Sequence, residues 1–305
     1  MGRFARSGTG VITMNEKIGS VALRPRAVRF DFSRSPLHWI PGEPVASHAI
    51  SGLNLILPLG ERGFVEMFRR ALPYVTDADL REQMIGFMGQ EAMHAESHNQ
   101  AVWEFLQRHD IDPEPILTEA EYLFDRAIAR LDTLPENLRH RVVTQMLALI
   151  AGVEHFTALG GDWILNQDFE SLHADPALTD LFRWHGAEEV EHRSVAYDVA
   201  RYFGAKRPRL VTFYLGTSVG LPVGLIAIAW WLVRQDPTMR NMGPVRVFRE
   251  VGSGIRRGVL PRWGLIGRGF ASFVRADYDP ADTGDTAQAV AYLAKSPAAK
   301  LAHAS

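Results

Sequence analysis

Two copies of Glu-x-x-His constrain this chain more than any other feature: Glu91-x-x-His94 in QEAMHAESH and Glu189-x-x-His192 in AEEVEHR. Residues three apart on a helix share a side, so each copy directs a carboxylate and an imidazole toward one transition-metal ion. Both copies sit in apolar stripes of helical period. The first stripe is Leu80, Met84, Phe87, Glu91, His94, His98, Val102 and Phe105. The second runs Leu178, Leu181, Phe182, His185, Glu188 or Glu189, His192, Val195, Ala196 and Val199. Two further stripes carry a lone glutamate: Glu61 among Leu53, Leu57, Phe64 and Phe68, and Glu154 among Leu147, Ile150, Ala151 and Ala158. Four apolar helices, each with a glutamate on its seam and two with a histidine as well, make the ligand set of a dinuclear carboxylate centre in a four-helix bundle.

The same periodicity predicts an all-α fold: a ferritin-like four-helix bundle with additional helices and a C-terminal apolar and basic helical segment. Bundle helices are expected over 45–72 with a kink at Pro58, then from Thr76 or Asp77 as N-cap to about Arg108, over 138–166, and over 176–202. The connection between the second and third contains an amphipathic stretch, Leu117 to Leu131, and is long enough to cross over between helix pairs. The chain divides into a flexible N-terminal arm (1–29), the metal-binding bundle (30–205), apolar and basic helices (206–276) and a loose tail (277–305).

Charge balance supports a metal. Glu61, Glu91, Glu154 and Glu189 supply four negative charges, which two divalent ions would neutralise, and His94 and His192 add neutral nitrogen donors. Buried carboxylates without a compensating cation are strongly unfavourable. Cysteine is absent, which excludes disulfides, thiolate ligands and cysteine nucleophiles. The remaining oxygen and imidazole donors suit iron first, with manganese or zinc as alternatives. His98 and His185 lie one turn beyond the ligand pairs; His98 is expected to hydrogen-bond a ligand, and Glu188 or His185 to move the proton. Glu188 also competes with Glu189 as ligand, and the spacing to His192 favours Glu189. Glu66, Glu96 and Glu191 fall off the stripes, and His48 and His155 are expected to pack or hydrogen-bond locally.

A second feature follows the bundle. From Leu210 to Val233 there are 24 residues without a charge, long enough to cross a bilayer. Gly216, Gly220 and Gly224 form a small-residue face that favours close helix contact, while Trp230, Trp231 and the flanking arginines resemble interfacial anchors. Between Arg234 and Arg275 stand nine arginines and only two acids, Asp236 and Glu250. Such a segment suits an anionic membrane surface, and a helix capping the core is the other reading. The formal net charge of −2 and the lack of a reading module argue against nucleic acid. The N-terminus has arginine but no apolar run, so a cytoplasmic protein at the inner face of the membrane is expected.

The stretches FSRSPLHWIPG (32–42), LPLGERGF (57–64), GQEAMHAESH (89–98), GVEHFTA (152–158) and WHGAEEVEHRSVAYDV (184–199) resemble the bacterial proteins described as predicted metal-dependent hydrolases. The resemblance spans roughly residues 25–275 and implies the same metal positions: Glu61, Glu91, His94, Glu154, Glu189 and His192. The ligand set also resembles the ferritin-like di-iron superfamily, which more often uses dioxygen. The first expectation is therefore a di-iron enzyme, served by an electron-donor protein, that oxidises a lipophilic small molecule. The alternatives are a hydrolase using a metal-activated water and a non-catalytic metal-binding bundle.

Overall fold

The computed structural model describes residues 22–304, with the side chains of 301–304 left aside. Among these residues every regular element is helical, as the periodicity requires. In chain order the α-helices are α1 (Pro44–Ser51), α2 (Leu53–Ala71), α3 (Ala78–Gln100), α4 (Glu114–Asp132), α5 (Glu136–Asn166) and α6 (Pro176–His192). They continue as α7 (Val195–Tyr202), α8 (Arg207–Gln235), α9 (Pro244–Arg257), α10 (Trp263–Phe273), α11 (Thr286–Leu293) and α12 (Pro297–Ala304).

Local chemistry sets the boundaries. Asp77 caps α3 by accepting from the Leu80 amide, and Asp175 caps α6 by accepting from Ala177 and Leu178. A π-helical segment over Ala101–Leu106 prolongs α3 and buries Val102, Phe105 and Leu106. The single helix expected over 176–202 is broken between α6 and α7. The Arg193 guanidinium hydrogen-bonds the Val190 carbonyl, the acceptor that the Ser194 amide would use in a continuous helix. Arg193 is drawn there by the C-terminal region, where it also donates to Pro280 O, Ala281 O and Thr286 Oγ1.

The architecture is two helix pairs packed together, α2 with α3 and α5 with α6 and α7, with α4 in the connection. One core region gathers Met67, Phe68, Met84, Phe87, Leu147 and Val199; the other gathers Trp39, Phe105, Leu178, Phe182 and Trp184. Between them lie buried Glu61, Glu91, His94, Glu154, Glu189 and His192. Two glycine contacts allow the close approach. A Cβ on Gly161 would stand 2.4 Å from the Gly186 carbonyl oxygen, so α5 and α6 touch through backbone; a Cβ on Gly152 would meet the Tyr214 backbone at 3.1 Å, which seats α8 against α5.

Three expectations about the flanking segments are corrected. Most of the arm, residues 1–21, lies outside the described residues, but 22–29 is not free: Leu23 and Pro25 lie against Gly86 and Gly89 of α3, where any side chain would collide with them. The tail folds as well. α11 packs on α6 with Ala289 and Leu293 buried, and Asp180 of α6 accepts from Tyr292 Oη at 2.7 Å and the Ala298 amide at 3.0 Å. Small alanine side chains let this segment lie close to α6, and the buried carboxylate fixes it. Finally, Gly216, Gly220 and Gly224 make no close helix contact, since nothing lies within 4 Å of a Cβ built on any of them.

By length and composition α5 and α8 are both apolar enough to cross a membrane. Their surroundings differ: 56% of the apolar window of α5 is buried inside the protein, against 11% for α8. α5 is a core helix. α8 lies along α5 and α1 with Leu210, Tyr214, Leu232 and Val233 fully buried, and turns its opposite side outward.

Candidate metal centre

The four seams converge on one buried place. His192 Nε2 lies 3.2 Å from Glu91 Oε1, 3.2 Å from Glu154 Oε2 and 3.4 Å from Glu189 Oε2. Beside it, His94 Nδ1 lies 3.6 Å from Glu189 Oε1 and 3.7 Å from Glu91 Oε1, and His185 Nδ1 lies 3.8 Å from Glu61 Oε1. These form two adjoining groups, Glu91/Glu154/Glu189/His192 and Glu61/His94/His185, each compact enough to hold an ion. Glu189 belongs to both, with Oε2 toward His192 and Oε1 toward His94 and His185.

The fit to metal rests on atoms that have no hydrogen-bond partner among the described residues. Both oxygens of Glu61, Glu91 and Glu154, Glu189 Oε2, His94 Nδ1 and His192 Nε2 are buried without a hydrogen bond. Buried polar atoms are almost always satisfied, so nine unsatisfied ones facing a common centre mark a cation site. The separations of 3.2–3.4 Å around His192 match the donor–donor spacing of about 3.0–3.4 Å expected when metal–ligand bonds are about 2.1 Å, and those of 3.6–3.8 Å around His94 and His185 are slightly wider. Carboxylate oxygens with imidazole nitrogens suit a first-row divalent ion.

Electrostatics of the bare cluster follow the same logic. Burial raises the Glu61 and Glu91 carboxyls well above the usual range, and neighbouring carboxylates add to the shift. Glu154 is pushed up to about 7 by burial and by Glu189. Glu189 moves the other way: burial opposes its charge, but His192 and His185 outweigh burial and hold it well below. Burial also opposes charge on His192, yet Glu189 and Glu154 raise its pKa well above the ordinary imidazole value. Three carboxylates pushed toward neutrality around one ionised pair is the response of a carboxylate-rich pocket to low dielectric.

A surrounding layer orients the donors. His94 Nε2 contacts Glu188 Oε2 at 3.0 Å, and His192 Nδ1 contacts Gln90 Oε1 at 3.2 Å, so each imidazole keeps its other nitrogen for the cluster. Arg26 donates to Glu188 at 2.6 Å and to Glu191 at 2.9 Å, while Gln90 donates to Glu191 at 3.0 Å. Glu191, off the apolar stripe, is thus buried by its pairing with Arg26. Glu188 faces the far side of His94 rather than the unpaired carboxylates, so its place is that of an orienting group. Burial pushes its carboxyl up to about 7 against the pull of Arg26.

His185 stands closer to the centre than expected: its ring stacks on that of His94 at 4.3 Å, and Nε2 contacts Glu189 Oε1 at 2.8 Å. His98 lies behind it, its Nε2 in contact with His185 Nδ1 and its other nitrogen held by Asn54 Oδ1 at 2.7 Å. Sequence reasoning passed over Arg26, Asn54 and Gln90. Asn54 carried a signal, because it lies two helical turns before Glu61 on the same face of α2. Arg26 carried none, because its partners are more than 160 residues away.

His48, expected to act locally, contacts Asp236 Oδ2 at 2.9 Å, and His38 reaches the same oxygen at 2.6 Å. The other oxygen of Asp236 accepts from the Thr238 amide and hydroxyl. This group latches the entry segment and α1 to the end of α8. The His48 Nδ1 atom behind it is buried without a partner, so the cluster lacks the orienting layer of the main centre.

An apolar cavity of about 360 Å³ runs from the centre toward α8 and α10. Glu61, His185 and Glu189 lie at its inner end; Leu53, Phe64, Leu221, Leu225 and Ile266 are among its walls. A larger cleft of about 760 Å³ between α2, α3 and α4 is lined about equally by polar and apolar groups and contains none of the ligand candidates.

A family model described as "Predicted metal-dependent hydrolase" matches residues 24–284. No curated protein and no solved structure matches the chain.

Proposed function

The chain belongs to the family of predicted metal-dependent hydrolases, and from that premise we propose that it hydrolyses an apolar substrate at a dinuclear centre held by Glu61, Glu91, His94, Glu154, Glu189 and His192, with His185 beside them. The observation that carries this reading is the set of nine buried donor atoms, without hydrogen-bond partners among the described residues, in two adjoining groups. The oxidative expectation gives way because the family description supports the hydrolytic alternative.

Bound divalent ions would supply a water-derived nucleophile at neutral pH and a Lewis acid for the bond under attack. The chain's own residues do the rest. Glu189 reaches both ligand groups and fixes their separation. Glu188 and Gln90 hold His94 and His192 so that the nitrogen facing the cluster keeps its lone pair. His185 lines the cavity's inner end with Glu61 and Glu189, its ring oriented by His98, which Asn54 holds in turn, and so is the imidazole placed to exchange a proton with the leaving group. The apolar walls exclude water from all but the reacting end and select a lipophilic substrate.

The test is elemental analysis of the purified protein together with hydrolysis of apolar carboxylic, amide and phosphoric esters of graded chain length. Turnover should disappear with a chelator, return with zinc, manganese or ferrous ion, and be lost in Glu91→Gln. Oxygen consumption by the ferrous protein without any hydrolysis would restore the oxidative alternative. A metal-free protein inactive in both assays would leave a structural bundle.

A further inference from the structure

Among the described residues, nothing covers the apolar outward side of α8 over most of its length. Leu215, Val219, Val223 and Trp230 are 46%, 64%, 61% and 40% exposed, and they share one face with the open positions Gly216 and Gly220. Helices α9 and α10, which pack on α8, add Phe248 at 60% and Trp263 at 56% exposure. The ionisable groups around these residues are almost all cationic. Among the described residues Arg240, Arg246, Arg249, Arg256, Arg262 and Arg268 are exposed and form no ion pair, whereas Arg257 is tied to Glu43 and Arg275 to Asp277. Of the two acids in the same stretch, Asp236 is buried by its histidine contacts.

We propose that α8, α9 and α10 form a face that docks on an anionic lipid surface, and that the apolar substrate passes from the bilayer into the cavity without crossing water. The second clause rests on the hydrolase reading; the first does not. α8 lies along the surface rather than through it, because spanning would strip Leu210, Tyr214, Leu232 and Val233 from α5 and α1. Exposed aromatic and branched residues would enter the acyl boundary while the arginines meet lipid phosphates. Charge decides against a second copy as the occupant, since pairing two such faces would bring their unpaired arginines together. The cavity supports the route: Trp263, half exposed, lines it together with Leu221 and Leu225 of α8 and Leu265 and Ile266 of α10, and its other end reaches Glu61 and His185.

The experiment is co-sedimentation of the full chain with phosphatidylcholine vesicles, with and without about 30% phosphatidylserine, an anionic fraction chosen to give a strong surface potential. Binding should require the anionic lipid and weaken in high salt. It should fall roughly five-fold for each arginine neutralised in Arg246→Gln and Arg249→Gln. It should fall further in Val219→Asp/Val223→Asp, whose exposed positions leave the fold intact by circular dichroism. Glu91→Gln should bind vesicles like the parent, which separates docking from the metal chemistry. Equal sedimentation with neutral and anionic vesicles, or none with either, would overturn the proposal. So would a dimer that Val219→Asp/Val223→Asp dissociates while vesicle binding stays unchanged.

Discussion

His94 and His192 each turn one ring nitrogen toward the carboxylates and give the other to a neighbour, Glu188 or Gln90. That division is what a metal-binding imidazole needs, and it depends on residues outside the stripe. Glu91→Gln tests the cluster directly. In metal-free protein the change removes the cost of burying a carboxyl that must take up a proton on folding and should stabilise the fold by about 1–4 kcal/mol at pH 7; with metal added it should lose that advantage and bind less metal. Thermal unfolding with and without chelator reads both, and equal shifts in the two states would refute the ligand role. Asp236 is a separate residue-level case. Burial pushes its carboxyl up, but hydrogen bonds from His38, His48 and Thr238 outweigh burial and hold it below the ordinary value. Its contribution is therefore complete above the unfolded pKa of about 4 and is lost as pH falls through the lower folded value. Asp236→Asn should cost on the order of 1–3 kcal/mol in urea unfolding at pH 7, with the gap to the parent closing in acid. A gap that does not shrink at all as pH falls below about 4 would exclude the ionised carboxylate as its source.

At the scale of elements, the ligand seams were legible because helical period puts Glu91 with His94, and Glu189 with His192, on the faces that also carry the apolar residues. The break after His192 was not legible. It depends on Arg193 meeting carbonyls at 280 and 281, and no local pattern announces that contact. The crossing of α5 and α6 depends on backbone contact at Gly161 and Gly186. Gly161→Ala should force these helices apart, costing about 1–3 kcal/mol by overpacking and reducing bound metal, because Glu154 rides on α5 while Glu189 and His192 ride on α6. Urea unfolding and elemental analysis on the same preparation check it; an unchanged metal content would separate the crossing from the site.

For the molecule as a whole, the C-terminal third is part of the folding unit. Leu210, Tyr214, Leu232, Val233, Phe273 and Ala289 are fully buried, and Arg193 is anchored to the segment around 280–286. A chain ended at 205 exposes the matching faces of α5 and α6, so it should be poorly soluble and lack a cooperative thermal transition. A soluble fragment with native helix content and bound metal would show instead that 30–205 is an independent domain. Among the described residues a large apolar surface stays open, the outward side of α8, next to a cavity that ends at the metal seam.

The sequence by itself determined that the chain is helical and that four glutamates and two histidines occupy apolar seams, since both follow from spacing along a single helix. Its lack of cysteine restricted the donors to oxygen and imidazole. Tertiary structure alone decided that His185 joins the cluster, that Glu188 supports His94, that Arg26 closes the outer layer, and that α8 has an inner and an outer side. Those outcomes depend on the angles at which helices meet and on contacts between residues far apart in the chain, and periodicity within one element carries no information about either.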